Sequence, residues 1–147
     1  EAGGKMTVLA VSMRNCTRHW LLKVKLVICR HVYAMDVSPT ARISVGALLD
    51  KANPRGVHIG DESYIASGAR IITHDSARGV RADTYIGKCC FVGFDAIVNC
   101  GVRVGDHVVI ENGAVVSEDV ADGCRVAGNP ASIVQTGIRT GAYGWIP

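Results

Sequence analysis

The stretch VRADTYIGKCCFVGFDAIVNCGVRVGDHVVIENGAVVS, residues 80–117, is the most informative about the fold, because an aliphatic residue returns in it at every sixth position. A helix repeats its faces about every 3.6 residues and a strand about every 2, so this period fits neither element. It indicates a solenoid in which each six-residue segment forms one flat side of a prism and three sides make a coil of about eighteen residues. The inward residues of this pattern are Val80, Ile86, Val92, Val98, Val104, Ile110 and Val116.

A second position in each repeat is small or branched. Side chains four apart in a strand share a face, and the second of them lies near a corner, where the interior of a prism is narrow. Glycine often follows the aliphatic residue, as at Gly87, Gly93 and Gly105. This indicates a corner that needs a positive φ or a close approach of backbones. The small positions are Thr84, Cys90, Ala96, Val102, Val108, Ala114 and Val120.

Residues 86–134, and most specifically AGNPA at residues 127–131, resemble the hexapeptide-repeat acyltransferases. Within that family the resemblance is to the O-acetyltransferases of bacterial surface sugars and polysaccharides, and it covers residues 37–134. It implies an all-β solenoid, a left-handed parallel β-helix. The hand is taken from the resemblance alone, since the general preference for right-handed crossovers argues against it. It also implies acetyl-CoA as donor, a cytoplasmic bacterial enzyme, and a homotrimer with active sites between subunits.

The length of 147 residues predicts one domain, and a content of only 5% aromatic residues suits narrow coils. Residues 1–58 carry nine Lys/Arg and three Asp/Glu, whereas residues 59–147 carry seven and ten. We interpret the basic half mainly as solvated surface. Nucleic acid is not an expected partner, because no aromatic-basic recognition motif accompanies the charge.

The chain divides into four segments. Residues 1–14 are interpreted as an N-terminal segment in which residues 1–5 are either an expression remnant or a truncated start. Residues 35–134 are interpreted as the β-helix, and residues 135–147 as a Gly-rich tail without repeats. Residues 15–34 are predicted to form an amphipathic helix. The helix either caps the open end of the solenoid or, through residues 15–33, contacts a membrane surface, which would make the protein peripheral to the inner membrane. Its apolar residues are Trp20, Leu21, Val24, Val27, Ile28 and Val32.

Two interruptions of the period predict loops. The segment from Leu49 to Ile59 is four residues longer than the six-residue period. The segment from Ile71 to Val80 is three residues longer than the period and contains Thr73-His74-Asp75. Extra residues in a solenoid project outward, where function concentrates. In the resembling family a His directly after such a Thr is the general base, which implies that role for His74.

Acetyl transfer from a thioester to a hydroxyl needs a base whose pKa is near neutral, and imidazole meets that requirement. Asp75 either orients His74 or binds the acceptor, and Asn53 and Arg78 are candidates beside it. The predicted acceptor is a sugar or polysaccharide precursor. An amine on a nucleotide-linked amino sugar is the nearest alternative. Serine is less favoured, because residues 1–147 lack the long helical N-terminal domain of serine acetyltransferases.

The resemblance places the donor in the groove between neighbouring prisms. Relatives often carry Lys or Arg at the positions of Glu118, Ser132 and Gln135, where these basic residues would bind the phosphates of CoA. Because this chain lacks them, Arg125 and Arg139 are the candidates for binding the phosphates. Phe91 and Phe94 are equally compatible with packing against another subunit. The full set implied to bind the donor is Phe91, Phe94, Asn112, Gly113, Ser117, Arg125, Ala127, Gly128, Asn129, Pro130 and Arg139.

Two further functional classes remain open. One is a non-catalytic solenoid for binding or assembly. The other is a γ-type carbonic anhydrase, with His58, His74 and His107 as zinc ligands, although the two ligands five residues apart are missing and no metal is expected. The six cysteines are predicted to be free thiols, because no signal peptide precedes them and no CxxC pair suggests zinc.

Overall fold

This computed structural model describes the backbone of residues 2–147 and the side chains of residue 11 and residues 13–147. These residues form one long helix and sixteen short strands. Helix α1 spans Ala2–Val27 and continues into a π-helical turn, Ile28–Val32. The strands are β1 Asp36–Val37, β2 Arg42–Ile43, β3 Leu48–Leu49, β4 Val57–Ile59, β5 Tyr64–Ile65, β6 Arg70–Ile71, β7 His74–Asp75, β8 Val80–Arg81, β9 Thr84–Ile86, β10 Phe91–Val92, β11 Ile97–Val98, β12 Arg103–Val104, β13 Val109–Ile110, β14 Val115–Val116, β15 Arg125–Ala127 and β16 Ser132–Gln135.

Successive strands of the prism go to successive sheets. Sheet A has the order β1-β4-β9-β12, sheet B has β2-β5-β10-β13-β15-β16, and sheet C has β3-β6-β11-β14. Neighbouring strands in these sheets are parallel except for the final pair, β15 and β16. The parallel β-solenoid predicted from the six-residue period is therefore confirmed.

The aliphatic residues of each side stack in columns inside the prism. In sheet A the column is Val37, Ile59, Ile86 and Val104, closed by a bridge from Val104 to Val120. All are nearly inaccessible to solvent. Burying a side chain of this size contributes about 1.5–3 kcal/mol, so the columns hold the coils together.

The corners combine a close backbone approach with a left-handed residue two positions later. A Cβ on Gly93 would lie 2.7 Å from the backbone nitrogen of Asn112 in the next coil, so a side chain has no room there. The positive φ falls at Asp95 instead, with φ 55°, and the same six-residue spacing places left-handed residues at Cys89, Asp95, Gly101, His107 and Gly113. The predicted corner glycines thus serve close approach, and the turn itself uses other residues.

The structure corrects the prediction for Val80. Val80 lies in the antiparallel hairpin formed by β7 and β8, where it pairs with Asp75 and is 46% exposed. The next inward residue after Ile71 is Ile86, so the insertion is nine residues longer than the period, not three. Val80 keeps the six-residue phase by sequence alone, and periodicity could not separate it from the prism.

Helix α1 covers the first coil with a face that differs from the predicted one. The helix begins at Ala2 rather than at residue 15, and Leu26 and the buried Cys29 pack against the core. Lys25 Nζ donates hydrogen bonds of 2.5–2.7 Å to three carbonyl oxygens at the corner between β2 and β3. Five of the six residues predicted as the apolar face are exposed: Trp20, Leu21, Val27, Ile28 and Val32. Within residues 2–147, we find no helix with the length and apolarity needed to cross a bilayer.

The tail, residues 135–147, runs back along the corner between sheets A and B. It bonds four successive coils: Ile138 N to Gly123 O, His107 Nδ1 with Thr140 O, Thr140 Oγ1 to Cys89 O, and Tyr143 N to Glu62 O. The ring of Tyr143 lies under the guanidinium of Arg42 at 3.9 Å. The tail therefore ties four coils together, which its lack of repeats did not reveal.

Candidate active site

Both insertions leave the prism at the corner between sheets C and A, in successive coils. The residues after Leu49 form the first, with a 3₁₀ turn at Pro54–Gly56, and the β7–β8 hairpin forms the second. Between them and the outer face of sheet C lies an open cavity of about 620 Å³. Its lining includes Leu48, Asp50, Arg70, His74, Asp75, Arg78, Asn99, Cys100 and Ser117.

Asp50 and His74 form a hydrogen-bonded pair at the wall of this cavity. The side chain of Asp50 is 6% exposed and that of His74 is 36% exposed, and Nδ1 of His74 bonds to Oδ2 of Asp50. Asp50 also accepts hydrogen bonds from the backbone N–H groups of Thr73 and Ala52, both at 2.8 Å. Burial alone raises the pKa of Asp50, but the hydrogen bonds from His74, Thr73 and Ala52 outweigh it and lower the pKa to about 2.

The ionised carboxylate fixes the protonation pattern of the ring. Since Asp50 can only accept hydrogen bonds at neutral pH, Nδ1 of a neutral His74 carries the proton. Nε2 is then the unprotonated nitrogen, available to accept a proton from a bound hydroxyl.

Asn53 and Thr73 hold the two insertions together. The side-chain amide of Asn53 donates to the carbonyl of Thr73 at 3.2 Å, and the Thr73 hydroxyl donates to the carbonyl of Asn53 at 2.7 Å. Thr73 is fully buried. Asn53, a predicted acceptor-binding or His-orienting residue, therefore contacts the backbone beside His74 and acts on its position.

Asp75 does not orient His74, because Asp50 occupies the Nδ1 side of the ring. One oxygen of Asp75 accepts from the backbone N–H groups of Ala77 at 3.0 Å and Arg78 at 3.2 Å, and the other lies 3.5 Å from Nε of Arg78. Asp75 thus shapes the hairpin turn, and both side chains line the cavity. Of the two predicted roles, contact with an acceptor is the one that this geometry allows.

The residues predicted to bind the donor fall into separate regions. Phe91 and Arg125 lie on the outer face of sheet B, where Phe91 packs against Tyr64 with ring centroids 5.7 Å apart and Arg125 pairs with Glu111. A Cβ on Gly144 would lie 2.6 Å from the Phe91 nitrogen, so the tail covers this residue. The structure does not bring Phe91 or Arg125 together with His74.

A second group lies at or next to sheet C. Phe94, Asn112 and Gly113 form the corner between sheets B and C, where Asn112 Oδ1 accepts from Phe94 N at 2.9 Å. Phe94 is exposed. Ser117 lines the cavity and accepts a hydrogen bond of 3.0 Å from the side-chain amide of Asn99.

The turn at residues 127–130 continues the same face. Val115 N bonds to Gly128 O at 2.9 Å and Ala131 N bonds to Val115 O at 2.8 Å, so this turn lies beside β14, at the end of sheet C away from Leu48. The turn includes Ala127, Gly128, Asn129 and Pro130, of which the last three are exposed. Arg139 is an exposed residue of the tail.

The remaining candidate histidines have other partners. His58 Nδ1 bonds to Asp36 Oδ2 at 2.8 Å, and its ring stacks on Tyr85 at 4.2 Å. His107 Nδ1 lies 3.0 Å from the carbonyl oxygen of Thr140. Among the described residues no group of three or more His, Cys, Asp or Glu side chains could hold a metal ion.

All six cysteines are free thiols. Cys90 is fully buried at a small inward position, and burial raises the pKa of its thiol to about 12. That thiol is therefore protonated at neutral pH and serves as packing.

Sequence reasoning missed Asp50, Arg70 and Asn99. Asp50 follows the inward residue Leu49, and Leu49 pairs with Ile71 in the next coil. Aligning the sequences of these two coils on Leu49 and Ile71 would have placed Asp50 beside the second insertion. Arg70 and Asn99 follow from the same alignment of sheet C, since Arg70 pairs with Ile97 in the next coil.

Comparison with known proteins agrees with the repeat and the fold. Residues 83–118 match the family described as bacterial transferase hexapeptide (six repeats). Serine acetyltransferase 2 of Arabidopsis thaliana is 30% identical over 109 residues, which cover 71% of this chain and 33% of that protein. The chain therefore spans about a third of this relative's length.

Two solved structures have a similar fold. Serine acetyltransferase from Brucella abortus in complex with coenzyme A has a TM-score of 0.50 and 27% identity, over 77% of this chain and 45% of that chain. A hexapeptide-repeat-containing acetyltransferase from Vibrio cholerae has a TM-score of 0.61 and 16% identity, over 85% of this chain and 89% of that chain. The second likeness concerns the fold alone.

Proposed function

With the hexapeptide repeat of the bacterial transferases confirmed in this chain, we propose that the protein transfers an acetyl group from acetyl-CoA to a hydroxyl group. The observation that carries the proposal is the Asp50–His74 pair at the wall of an open cavity. His74 Nε2 takes the proton of the acceptor hydroxyl while the oxygen attacks the thioester carbonyl carbon. The tetrahedral intermediate collapses, the C–S bond breaks, and the thiolate of CoA takes the proton back from His74.

The outer face of sheet C suits the donor. Leu48 and Arg70 lie beside His74, and the turn at residues 127–130 lies at the other end of the sheet. With about 4.8 Å between strands, this face is about 15 Å long, enough for much of a pantetheine arm. The Brucella abortus relative was solved with coenzyme A, which supports the same ligand here. Ser117 and Asn99 provide polar contacts along the way, and Phe94 flanks the corner.

We propose a sugar or polysaccharide precursor as the acceptor. Asp75 and Arg78 at the rim of the cavity offer an anionic and a cationic hydrogen-bonding group, which suits an acceptor rich in hydroxyls. Serine is the second candidate, because the Arabidopsis relative that matches 71% of this chain is a serine acetyltransferase. Both acceptors are hydroxyls, so His74 has the same role in either reaction.

The assembly belongs to the same proposal. We expect a left-handed coil and a homotrimer in which sheet C faces a neighbouring subunit, because Leu48 on its outer face is 53% exposed beside the cavity. A neighbouring prism would close the groove along this face and exclude water from the thioester.

Calorimetric titration of acetyl-CoA, followed by a thiol-release assay, tests the proposal. We expect one site per chain, competition by free CoA, and release of thiol with one class of acceptor in a panel of sugars, amino sugars and L-serine. His74→Ala should reduce turnover at least a hundredfold and leave donor binding intact, whereas His31→Ala, an exposed histidine next to α1, should change neither. Absence of binding at millimolar acetyl-CoA, or an active His74→Ala variant, would refute the proposal.

A further inference from the structure

In the part of helix α1 whose side chains the structure describes, residue 11 and residues 13–27, one face contacts the prism and the other does not. Lys25, Leu26 and Cys29 lie against the first coil. On the other side Met13, Trp20 and Val27 recur at intervals of seven residues, which places them in line along the helix. They are 64%, 64% and 55% exposed, respectively.

The exposed apolar surface extends beyond this line. Leu21 and Ile28 flank it, at 46% and 40% exposed, and Val32 in the π-helical turn is 71% exposed. Single exposed apolar residues need no explanation, but several large ones on one side of a helix indicate a surface that something covers. We call the exposed apolar set of Met13, Trp20, Val27 and Val32 the apolar stripe.

The charge around the apolar stripe has one sign. Residues 11–35 contain five Lys/Arg, namely Arg14, Arg18, Lys23, Lys25 and Arg30, and no Asp or Glu. Lys25 is bound to the corner carbonyls and Arg30 is half-buried, whereas Arg14, Arg18 and Lys23 are exposed. A second copy of the same helix would bring like charges together without a compensating acid, which disfavours self-pairing. A partner for this face has to supply both apolar surface and negative charge.

We propose that α1 lies in the interface of an anionic lipid bilayer, with the apolar stripe among the acyl chains and the basic residues at the phosphates. A helix with Trp and aliphatic residues on one side and Lys/Arg beside them binds in this way. The stripe from Met13 to Val32 is about 30 Å long at 1.5 Å per residue, and it lies parallel to the membrane. The opposite face of α1, anchored by Lys25 and Leu26, holds the prism on the water side.

Vesicle flotation with the full chain tests this inference and needs neither donor nor acceptor, so it is independent of the proposed function. We expect binding to vesicles of phosphatidylcholine with 30% phosphatidylglycerol, weak binding to phosphatidylcholine alone, and loss of binding in high salt. A Trp145→Phe variant leaves Trp20 as the only tryptophan, and its emission should shift to shorter wavelength on binding. Equal binding to both kinds of vesicle, or none to either, would refute the inference.

Matched variants separate the two components of binding. Trp20→Ser with Val27→Ser should abolish flotation, whereas Ile133→Ser with Val134→Ser, an equally exposed apolar pair in β16, should leave it unchanged. Arg14→Gln and Lys23→Gln should each weaken binding about fivefold. If the Trp20 and Val27 substitutions change the oligomeric mass in light scattering and leave vesicle binding unchanged, the stripe is a protein interface and the inference is wrong.

Discussion

Asp50 accepts a hydrogen bond from Nδ1 of His74 across 24 residues of sequence, because both leave the same corner of the prism in successive coils. The contact depends on the stacking of Leu49 on Ile71, which fixes the height of the two insertions relative to each other. The solenoid thus supplies a rigid frame, and the insertions carry the proposed base and the carboxylate that orients it.

Replacement of Asp50 by Asn should reduce turnover without removing the donor site. Asn offers one oxygen to three donors, so Nδ1 of His74 loses its carboxylate and the ring loses the fixed proton position on which the base depends. We expect kcat to fall about 10²- to 10⁴-fold, while the Kd for acetyl-CoA in calorimetry stays within about twofold. Asp61→Asn, at another corner, is the control for a general loss of packing. A kcat within threefold of the original protein would exclude a role for Asp50 in positioning the base.

The low pKa of Asp50 also predicts how stability depends on pH. The folded-state pKa of about 2 lies below the ordinary value of 3.8, so the folded protein binds fewer protons than the unfolded chain between these values. The resulting stabilisation, about 2 kcal/mol, is fully present above pH 4 and is lost as the pH falls through 2.

Urea unfolding of the original protein and of Asp50→Asn from pH 6 to pH 2 measures this contribution. The difference between their unfolding free energies should shrink by about 2 kcal/mol over the acidic end of that range. A constant difference at every pH would show that Asp50 titrates normally in the folded state.

The sequence predicts the prism well because its period is local. Each inward residue from Ile86 to Val116 marks one side of a coil by its position in the repeat, and the structure confirms that these residues are buried. Val80, which has the same phase, lies outside the prism. His74 is predicted from its insertion and the family resemblance, and the structure places it in the wall of the cavity. Asp50 was missed because its contact depends on how many residues each coil contains, and an insertion changes that number.

The helix shows a different limit of prediction. Helical spacing correctly indicated an amphipathic segment, but burial follows the shape of the first coil and not hydrophobicity alone. Lys25 faces the prism, where it donates to three carbonyl oxygens at a corner, while Trp20 and Val32 remain exposed. A sequence does not show which carbonyl oxygens its own fold places within reach of a lysine side chain.

Lys25→Met should destabilise the protein although it adds an apolar side chain. Met has a similar length and no donor, so the carbonyls of Ser44, Val45 and Ala47 lose a shared partner. We expect a loss of about 1–3 kcal/mol in the free energy of unfolding, measured by urea denaturation. Lys23→Met, an exposed position on the same helix, should change it by less than about 0.5 kcal/mol. Equal effects at the two positions would mean that the corner contacts contribute nothing.

The tail allows a sharper test, because two of its glycines share one backbone conformation and differ in their surroundings. Gly137 has φ 70° and Gly144 has φ 71°. A Cβ on Gly137 would meet nothing within 4 Å, whereas a Cβ on Gly144 would lie 2.6 Å from the backbone nitrogen of Phe91. Gly137→Ala should therefore cost only the strain of a left-handed alanine, about 1 kcal/mol.

Gly144→Ala should cost that strain and also displace the end of the tail from β10. The hydrogen bond from Tyr143 N to Glu62 O, 2.6 Å long, would then open, and the amide of Tyr143 should exchange with solvent much faster than in Gly137→Ala. We expect a melting temperature several degrees below that of the Gly137 variant. If both variants have the same melting temperature and the Tyr143 amide is equally protected from exchange in both, the tail does not hold the coils together. The prism is then stable through its inward columns alone.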